Sequence, residues 1–311
     1  MAGPIRSWAL DAKGDGRCRF LLRGRRAKRE VVLGTRAIVL GGGGVTGIAW
    51  ELGVLNGLAE DGVDLRADAV IGTSAGAFVG AALASGADLA AAFDAQHRPA
   101  LDETFVRLPR AVLAAWIWAY LRGFRNPERI CAGLGAVARR RRPLIDADQR
   151  RRTVEARLDT QEWPPTLRVT AIDLESGQLR AFERSDGYPL VDAVSASGAV
   201  PGISPPVNLG GRRWIDGGMV SSANTRLAER FDEILVIAPL ARNHGGLPSV
   251  RQEVERLSGH RTIHLIVPDD ESRAGIGPNI YDPSRRAAAA DAGREQGKAV
   301  GAPIAAQQAR R

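Results

Sequence analysis

Residues 68–80 read Asp-Ala-Val-Ile-Gly-Thr-Ser-Ala-Gly-Ala-Phe-Val-Gly, and this stretch decides the fold. It starts with a short apolar run, Ala-Val-Ile, which is typical of a buried parallel strand. The next five residues have the Gly-x-Ser-x-Gly pattern of a nucleophile elbow, centred on Ser74. Residues 75–84 are small or apolar and uncharged, which predicts a tightly packed helix. The stretch therefore predicts a strand, a sharp turn that carries a serine, and a helix.

A serine in such a turn is well placed for nucleophilic attack. The flanking Gly72 and Gly76 let the turn form without Cβ clashes. The N-terminus of the following helix adds a partial positive charge, which favours an alkoxide and the oxyanion that follows. The alternative is a plain tight turn in which Ser74 caps the helix. The rest of the chain decides between these two interpretations.

The apolar runs around the elbow predict the fold class. Residues 37–40 predict a strand that leads into four glycines, and apolar residues from Val45 to Ala59 then recur at helical spacing. Strand, glycine loop, helix, strand, elbow and helix make a βαβα unit, which predicts an α/β fold with a parallel, doubly wound sheet. Residues 87–162 are predicted to be mostly helical. Further strands are predicted at residues 167–172, 179–182, 234–238 and 263–267, and a final Ala-rich helix at residues 284–298.

Composition bounds the class of protein. The chain has 311 residues, of which 44% are hydrophobic and 25% charged, as in ordinary globular proteins. Cys18 and Cys131 offer neither a disulfide framework nor a metal-binding spacing, so a reducing, cytoplasmic compartment is expected. The net charge of +8 comes almost entirely from arginine, as a GC-rich coding sequence would also give. The charge therefore indicates an anionic membrane surface as readily as a polynucleotide.

Basic and apolar segments outside the motifs have simpler interpretations. Residues 1–35 are predicted to be a basic, loosely ordered extension and residues 301–311 a frayed tail. The arginine runs at residues 139–142 and 150–152 are predicted to be solvated helix surface. Residues 111–121 form an uncharged run with two tryptophans between arginines, too short as a helix to cross a bilayer. This segment is predicted to be an interfacial helix or a lid, with a buried core helix as the alternative.

The glycine loop, residues 41–44, has three candidate roles. It can cradle a phosphate at a helix N-terminus, offer N–H groups to an oxyanion, or form a tight turn. No Gly-Lys-Ser/Thr follows it, which argues against a P-loop. With a nucleophile elbow one strand away, the oxyanion role is favoured.

Ser74 also needs a base. The chain has four histidines, His97, His244, His260 and His264, and none lies in a recognisable motif. Asp216 stands out because it directly follows a short apolar strand end and precedes two glycines. Taken alone, an Asp before Gly is more often a turn residue.

Three motifs in this order, Gly-Gly-Gly-Gly-x-x-Gly, Gly-Thr-Ser-Ala-Gly and Asp-Gly-Gly, resemble the patatin-like phospholipase family. Residues 169–173 (Val-Thr-Ala-Ile-Asp), residues 195–202 (Ser-Ala-Ser-Gly-Ala-Val-Pro-Gly) and residues 205–207 (Pro-Pro-Val) agree with it. The resemblance covers residues 36–300, which it implies are one catalytic domain.

The resemblance implies a three-layer α/β/α fold with a mostly parallel central sheet, and hydrolysis of acyl esters by a Ser–Asp dyad. On that pattern Ser74 is the nucleophile, Asp216 is the general base, and Gly42, Gly43 and Gly44 supply oxyanion N–H groups. No metal or organic cofactor is implied. The family usually has Arg or Lys just before the last glycine of the loop, where this chain has Thr46. Either the ordering of the loop or the contact with a phosphate headgroup is therefore expected to differ.

The sequence thus predicts a cytoplasmic serine acyl hydrolase that acts on lipids and associates peripherally with anionic membranes, with no nucleic-acid partner. One rival is an α/β-hydrolase-type esterase, with a triad of Ser74, an Asp and His260 or His264 in the required chain order. The other rival is a basic, non-catalytic protein that binds lipid or nucleic acid.

Overall fold

The computed structural model describes residues 35–99, 108–158, 160–257, 259 and 261–310. The predicted basic extension lies outside these residues, apart from Thr35 at its end. His260 also lies outside them.

The strands of the described residues form one eight-stranded sheet. They are β1 (Arg36–Leu40), β2 (Ala69–Thr73), β3 (Leu167–Asp173), β4 (Leu179–Phe182), β5 (Val207–Leu209), β6 (Arg212–Asp216), β7 (Glu233–Ile237) and β8 (Thr262–Ile266). The strand order is β5-β6-β3-β2-β1-β7-β8, and β4 also pairs with β3. The strands β3, β2, β1, β7 and β8 run parallel, whereas β4, β5 and β6 pair in antiparallel fashion.

Helices cover both faces of this sheet. They are α1 (Gly44–Glu60), α2 (Ala75–Ser85), α3 (Leu89–Asp94), α4 (Arg110–Arg122), α5 (Pro127–Arg140), α6 (Ala147–Arg157), α7 (Leu190–Ser197), α8 (Val250–Leu257), α9 (Asp270–Ile276) and α10 (Arg286–Gln308). Side chains of β1 alternate between the two faces, as in any strand. Ile38 and Leu40 join the core that includes α1, α2 and α10, while Ala37 and Val39 join the core that includes α8. The three-layer α/β/α fold with a mostly parallel sheet is therefore confirmed.

The last helix is longer than the sequence indicates. The prediction ends it at residue 298 and leaves residues 301–311 as a frayed tail, because Gly301 and Pro303 are stop signals. In the structure α10 continues to Gln308 with Pro303 inside it, so that part of the prediction is wrong. Ile304 is buried in the main core, and the Gln308 side chain accepts a hydrogen bond of 2.8 Å from the Asp64 N–H. Tertiary contacts therefore hold the last turns in place.

Helices α1 and α10 pack backbone against backbone. Gly53 and Gly57 of α1 face Gly293 and Gly297 of α10, and a Cβ at any of the four positions would overlap a carbonyl of the other helix. At the edge of this contact Arg294 forms two hydrogen bonds with the Glu60 carboxylate, at 2.8 and 2.9 Å. The small residues thus set the distance between the two helices, and α1 in turn carries the glycine loop at its N-terminus.

Gly297→Ala is expected to lower the free energy of unfolding by about 1–3 kcal/mol, because the added carbon overlaps the Val54 carbonyl. Helix propensity alone predicts the opposite, a gain of about 1 kcal/mol. Urea denaturation measures the difference. The matched control is Ala299→Gly at an exposed position of the same helix, which is expected to destabilise by propensity alone. An alanine at position 297 that stabilises the protein would contradict the close-packing account.

Candidate active site

The elbow holds Ser74 in an unusual backbone conformation. Its φ and ψ are 53° and −110°, a region that residues with a Cβ rarely adopt. Ser74 lies between the end of β2 and the start of α2, and its side chain makes no capping hydrogen bond. The alternative of an N-capping serine therefore fails, and the hydroxyl is free to act elsewhere.

Gly72 and Gly76 are required by packing. A Cβ on Gly72 would overlap the Gly76 carbonyl, and a Cβ on Gly76 would overlap the Leu40 carbonyl of β1. The Gly76 N–H also donates to the Gly41 carbonyl at 2.9 Å, which ties the elbow to the glycine loop. The two motifs found separately in the sequence therefore form one unit.

The glycine loop lies beside Ser74, and its N–H groups differ in their partners. A Cβ on Gly42 would lie 3.5 Å from the Cβ of Ser74. The Gly42 N–H donates to the Ser222 carbonyl at 2.7 Å, so it already has an acceptor, which the sequence-based oxyanion prediction did not anticipate. The N–H groups of Gly43, Gly44 and Ala75 have no acceptor within the part of the chain that the structure describes. These three groups lie at the N-termini of α1 and α2.

Beneath the loop lies a buried carboxyl group that no sequence motif marks. Glu51 on α1 is fully buried, and its Oε1 accepts a hydrogen bond of 2.8 Å from the Gly41 N–H. Burial raises the pKa of Glu51 well above its usual value, although the Gly41 hydrogen bond partly opposes this rise. Through this hydrogen bond Glu51 supports the start of the glycine loop.

The register of β3 brings Asp216 near the elbow. Consecutive residues of β3, Thr170 and Ala171, pair with Thr73 of β2 and with Asp216 of β6. Asp216 is 4% exposed, and its Oδ1 accepts a hydrogen bond of 2.6 Å from the Gly218 N–H. The two glycines after Asp216 allow this turn, because a Cβ on Gly217 would press against Thr170.

Electrostatics around Asp216 favour a carboxyl group that titrates near neutrality. Burial raises its pKa from 3.8 to about 6. Hydrogen bonds from the Gly218 N–H and the Ser74 side chain lower it, as does the charge of Arg150. The Ser74 side chain and the Arg150 charge therefore both favour the ionised form of Asp216.

Polar side chains that the sequence did not single out fix the backbone around this pair. The Ser74 N–H donates to Ser197 Oγ at 2.8 Å. Asn224, with φ of 51°, donates through Nδ2 to Thr73 Oγ1 and to the Gly217 carbonyl, both at 3.1 Å. Ser197 belongs to a block that carries the family resemblance, so that signal was present. Asn224 follows an ordinary Ser-Ser-Ala run and gave none.

None of the described histidines lies between Ser74 and Asp216. His264 is in the middle of β8, which is three strands away from β2 in the sheet. Through the pairings of β8 with β7, β7 with β1 and β1 with β2, His264 is level with Val70 of β2. At about 4.8 Å between neighbouring strands, His264 is roughly 14 Å from β2. His97 instead bonds Asp291 at 2.8 Å, and His244 packs against the Tyr120 ring. The rival triad through His264 is therefore excluded.

Ser74 opens into a cleft of about 750 Å³. Its walls are mostly apolar and include Val45, Phe78 and Val200, with Arg150 and Tyr281 as polar members. A second, largely apolar cavity shares Val45 and Phe78 with the first and continues past aliphatic residues of α1 and α2.

Arg150 lies in this cleft, which corrects the prediction that residues 150–152 are all solvated surface. Arg151 and Arg152 are exposed as expected, but Arg150 points inward from α6 and stacks 5.9 Å from the Phe78 ring centroid. α6 buries only Val154 among its apolar residues, so no hydrophobic periodicity marked its inner face.

Known proteins resemble this chain over part of their length. Uncharacterized NTE family proteins of Mycobacterium bovis and Mycobacterium tuberculosis are 30% identical over 184 residues, which is 59% of this chain and 42% of theirs. The chain therefore spans less than half the length of these curated relatives. The crystal structure of VipD from Legionella pneumophila matches at 14% identity with a TM-score of 0.44, covering 88% of this chain and 67% of VipD. The crystal structure of the type III effector protein ExoU matches at 16% identity with a TM-score of 0.40, covering 88% of this chain and 53% of ExoU.

A family model supplies the stronger comparison. The model described as patatin-like phospholipase matches residues 38–229, a span that begins in β1, includes the glycine loop and the elbow, and extends beyond Asp216. This match covers more than half of the chain, and the chain belongs to the patatin-like phospholipase family.

Proposed function

We propose that this protein is a serine acyl hydrolase that cleaves acyl esters of lipids with a Ser74–Asp216 dyad. The observation that carries the proposal is the pairing of a strained elbow serine with a buried carboxyl group. Ser74 has φ of 53°, and its side chain is close enough to Asp216 to lower the pKa of that carboxyl group. A buried acid with a pKa of about 6 is poised to act as a base near neutral pH.

In the proposed reaction Asp216 accepts the Ser74 proton while Ser74 Oγ attacks the ester carbonyl. The tetrahedral intermediate collapses to an acyl-enzyme, and the leaving alcohol takes the proton from Asp216. Asp216 then removes a proton from a water that attacks the acyl-enzyme, and this proton passes to Ser74 Oγ as the bond to the acyl group breaks and the fatty acid leaves.

The negative charge on the intermediate needs donors that have no other acceptor. We place Gly43, Gly44 and Ala75 in this role, because their N–H groups are at two helix N-termini and lack acceptors in the described chain. Gly42, whose N–H donates to Ser222, instead fixes the loop next to Ser74.

Lipid acyl chains suit the cavity beyond the cleft. Its apolar lining includes Leu52, Val79, Ala82 and Ala92, and it shares Val45, Ile48, Phe78 and Arg157 with the cleft. The apolar part of this wall suits a hydrocarbon chain, whereas Gln96, Arg157 and Arg286 are its polar members. A fluorophosphonate probe that carries an alkyl chain tests the function directly: it is expected to modify Ser74, as peptide mapping would reveal.

One face of α4 is suited to a membrane surface. Leu113, Ile117, Trp118 and Leu121 are 47%, 51%, 60% and 64% exposed, and we call them the α4 apolar face. The opposite side is core, since Val112 and Ala119 are buried. The buried side agrees with the core interpretation of residues 111–121, and the exposed apolar side supports the interfacial interpretation. No helix in the described residues is long and apolar enough to cross a membrane.

Helix α4 is attached to segments near the cleft, and arginines lie beside its apolar face. Trp116 Nε1 donates to the Pro201 carbonyl and Tyr120 OH to the Met219 carbonyl, each at 2.9 Å, which attaches α4 to segments near Asp216. Arg122 lies over the Trp118 ring. An anionic bilayer matches both the apolar residues and the arginines.

The double variant Trp118→Ser, Leu121→Ser is expected to bind anionic vesicles at least tenfold more weakly than the wild type. Each substitution removes apolar surface area that would enter the lipid. Vesicle co-sedimentation measures the binding, with zwitterionic vesicles as the comparison. The melting temperature should stay within about 2 °C of the wild type, since both side chains are exposed. Unchanged vesicle binding by a folded variant would contradict this role of α4.

A further inference from the structure

The cleft at Ser74 contains a cation. Helix α6 directs Arg150, Thr153 and Arg157 toward the cleft from one face. The guanidinium of Arg150 lies within electrostatic range of the reacting groups, since Arg150 lines the same cleft as Ser74 and its charge lowers the pKa of Asp216. Its position relative to Ser74 suits a contact with a part of the substrate next to the scissile ester.

Arg150 has little compensation for its buried charge. Its Nε is buried without a hydrogen-bond partner, and its Nη2 makes only a long contact of 3.4 Å with the Gly198 carbonyl. It forms no salt bridge with a carboxylate of the described residues. Burial lowers the pKa of Arg150 to about 10, and the charge of Arg157 lowers it further, while Asp216 and Tyr281 oppose the change. Because Arg150 is half-buried and its Nε donor is unused, an anion that binds to it would offset the cost of removing its charge from water.

The glycine loop offers no such cation. Thr46, at the position where the resemblance leads one to expect Arg or Lys, is fully buried. Its N–H and its hydroxyl both contact the Ile280 carbonyl, at 3.2 and 3.4 Å. Thr46 therefore anchors the loop to residues 279–281, and the positive charge in the cleft comes from α6 instead.

We infer that Arg150 binds the phosphodiester of a glycerophospholipid substrate while Ser74 attacks its acyl ester. This inference rests on the proposed function. A guanidinium presents two parallel N–H donors that match two phosphate oxygens, and Nε is one of the donors still unused. In a glycerophospholipid the phosphate is attached to the same glycerol as the acyl ester, so both groups fit in one cleft. Arg150 is thus a specificity-determining residue that distinguishes phospholipid from neutral glyceride.

The test compares phosphatidylglycerol with a diacylglycerol of the same acyl chains, presented in the same detergent micelles at pH 8. Hydrolysis of both substrates depends on Asp216 in the same way, so any effect of Arg150 on the pKa of Asp216 cancels in the ratio of the two kcat/KM values. Arg150→Met is expected to lower the ratio of kcat/KM for phosphatidylglycerol to that for diacylglycerol about 10- to 100-fold, the usual worth of a charge-assisted hydrogen bond. Arg150→Lys should restore part of the ratio. The matched control is Arg152→Met, which removes an exposed charge from the same helix and should leave the ratio unchanged.

Other outcomes have distinct meanings. An equal loss on both substrates, or an unchanged ratio, would overturn the inference and leave the proposed hydrolase intact. If inorganic phosphate inhibits the wild type but not Arg150→Met while the ratio does not change, the cation binds free phosphate and the headgroup assignment is wrong. If the wild type cleaves neither lipid, the proposed function fails. In that case calorimetry of dihexanoylphosphatidylglycerol binding to Ser74→Ala still tests the role of Arg150. Adding Arg150→Met to Ser74→Ala should weaken this binding at least tenfold.

Discussion

Replacing Ser74 with alanine is expected to lower the rate of acyl-ester hydrolysis about 10⁴- to 10⁶-fold and to abolish labelling by a fluorophosphonate. The physical reason is the loss of the hydroxyl that attacks the ester carbonyl in the proposed reaction. The fold should persist, because Ala tolerates φ of 53° no worse than Ser does and the Ser74 N–H can still donate to Ser197. Hydrolysis of a short acyl ester and circular dichroism measure the two effects.

The matched control is Ser85→Ala, at the exposed C-terminal end of the same helix α2. Ser85 hydrogen-bonds only the Ala82 carbonyl at 2.9 Å, so its loss should change neither rate nor labelling. Near-full activity of Ser74→Ala, or a label that maps to another serine, would remove Ser74 from the reaction. That result would favour the non-catalytic alternative or a different nucleophile.

The elbow and the sheet could be predicted because their signals are local. Gly72 and Gly76 are needed because a Cβ at either position would overlap a carbonyl that is near in sequence or on the neighbouring strand. Short apolar runs marked the parallel strands. The family was confirmed by the match over residues 38–229. The assignments of Ser74, Asp216 and the oxyanion glycines remain predictions, now with a geometry that experiments can test.

What could not be predicted depends on distant contacts. Arg150 belongs to an arginine run with no periodic signal, and only the packing of α6 on the cleft separates it from Arg151 and Arg152. The Gly42 N–H is occupied because a loop 180 residues later brings the Ser222 carbonyl to it. Glu51 is buried because α1 is enclosed on several sides. A single acidic residue in an apolar helix does not predict that its side chain bonds the glycine loop. These features arise from tertiary structure and leave no local pattern.

Asp216→Asn is expected to lose nearly all hydrolytic activity, at least about 10³-fold, while becoming more stable at neutral pH. The activity falls because an amide cannot accept the Ser74 proton. His264→Ala is the matched control, and its rate should stay within about tenfold of the wild type because His264 lies far from the dyad on β8. In the wild type, kcat/KM should decrease as pH falls through about 6, where the Asp216 carboxylate becomes protonated.

The stability change follows from the raised pKa. Asp216 titrates at about 6 in the folded protein and near 3.8 when unfolded, so between these values the folded state holds the proton more tightly. As pH rises through this window, ionisation in the buried site lowers the free energy of unfolding by about 3 kcal/mol. Asparagine cannot ionise and still offers an oxygen to the Gly218 N–H.

Below pH 3.8 the free energies of unfolding of Asp216→Asn and the wild type should therefore be similar, because Asp216 is protonated in both states of the wild type. Above pH 7 the variant should be more stable than the wild type by about 3 kcal/mol. Urea denaturation of both proteins across this range measures the difference, and other buried acids such as Glu51 cancel because both proteins contain them. If the difference in the free energy of unfolding does not vary with pH, the pKa of Asp216 is not raised in the folded protein. If Asp216→Asn is active, Asp216 is not the general base. Loss of activity together with a pH-dependent gain in stability is the result expected of a catalytic carboxylate that the fold holds in its charged form at a cost.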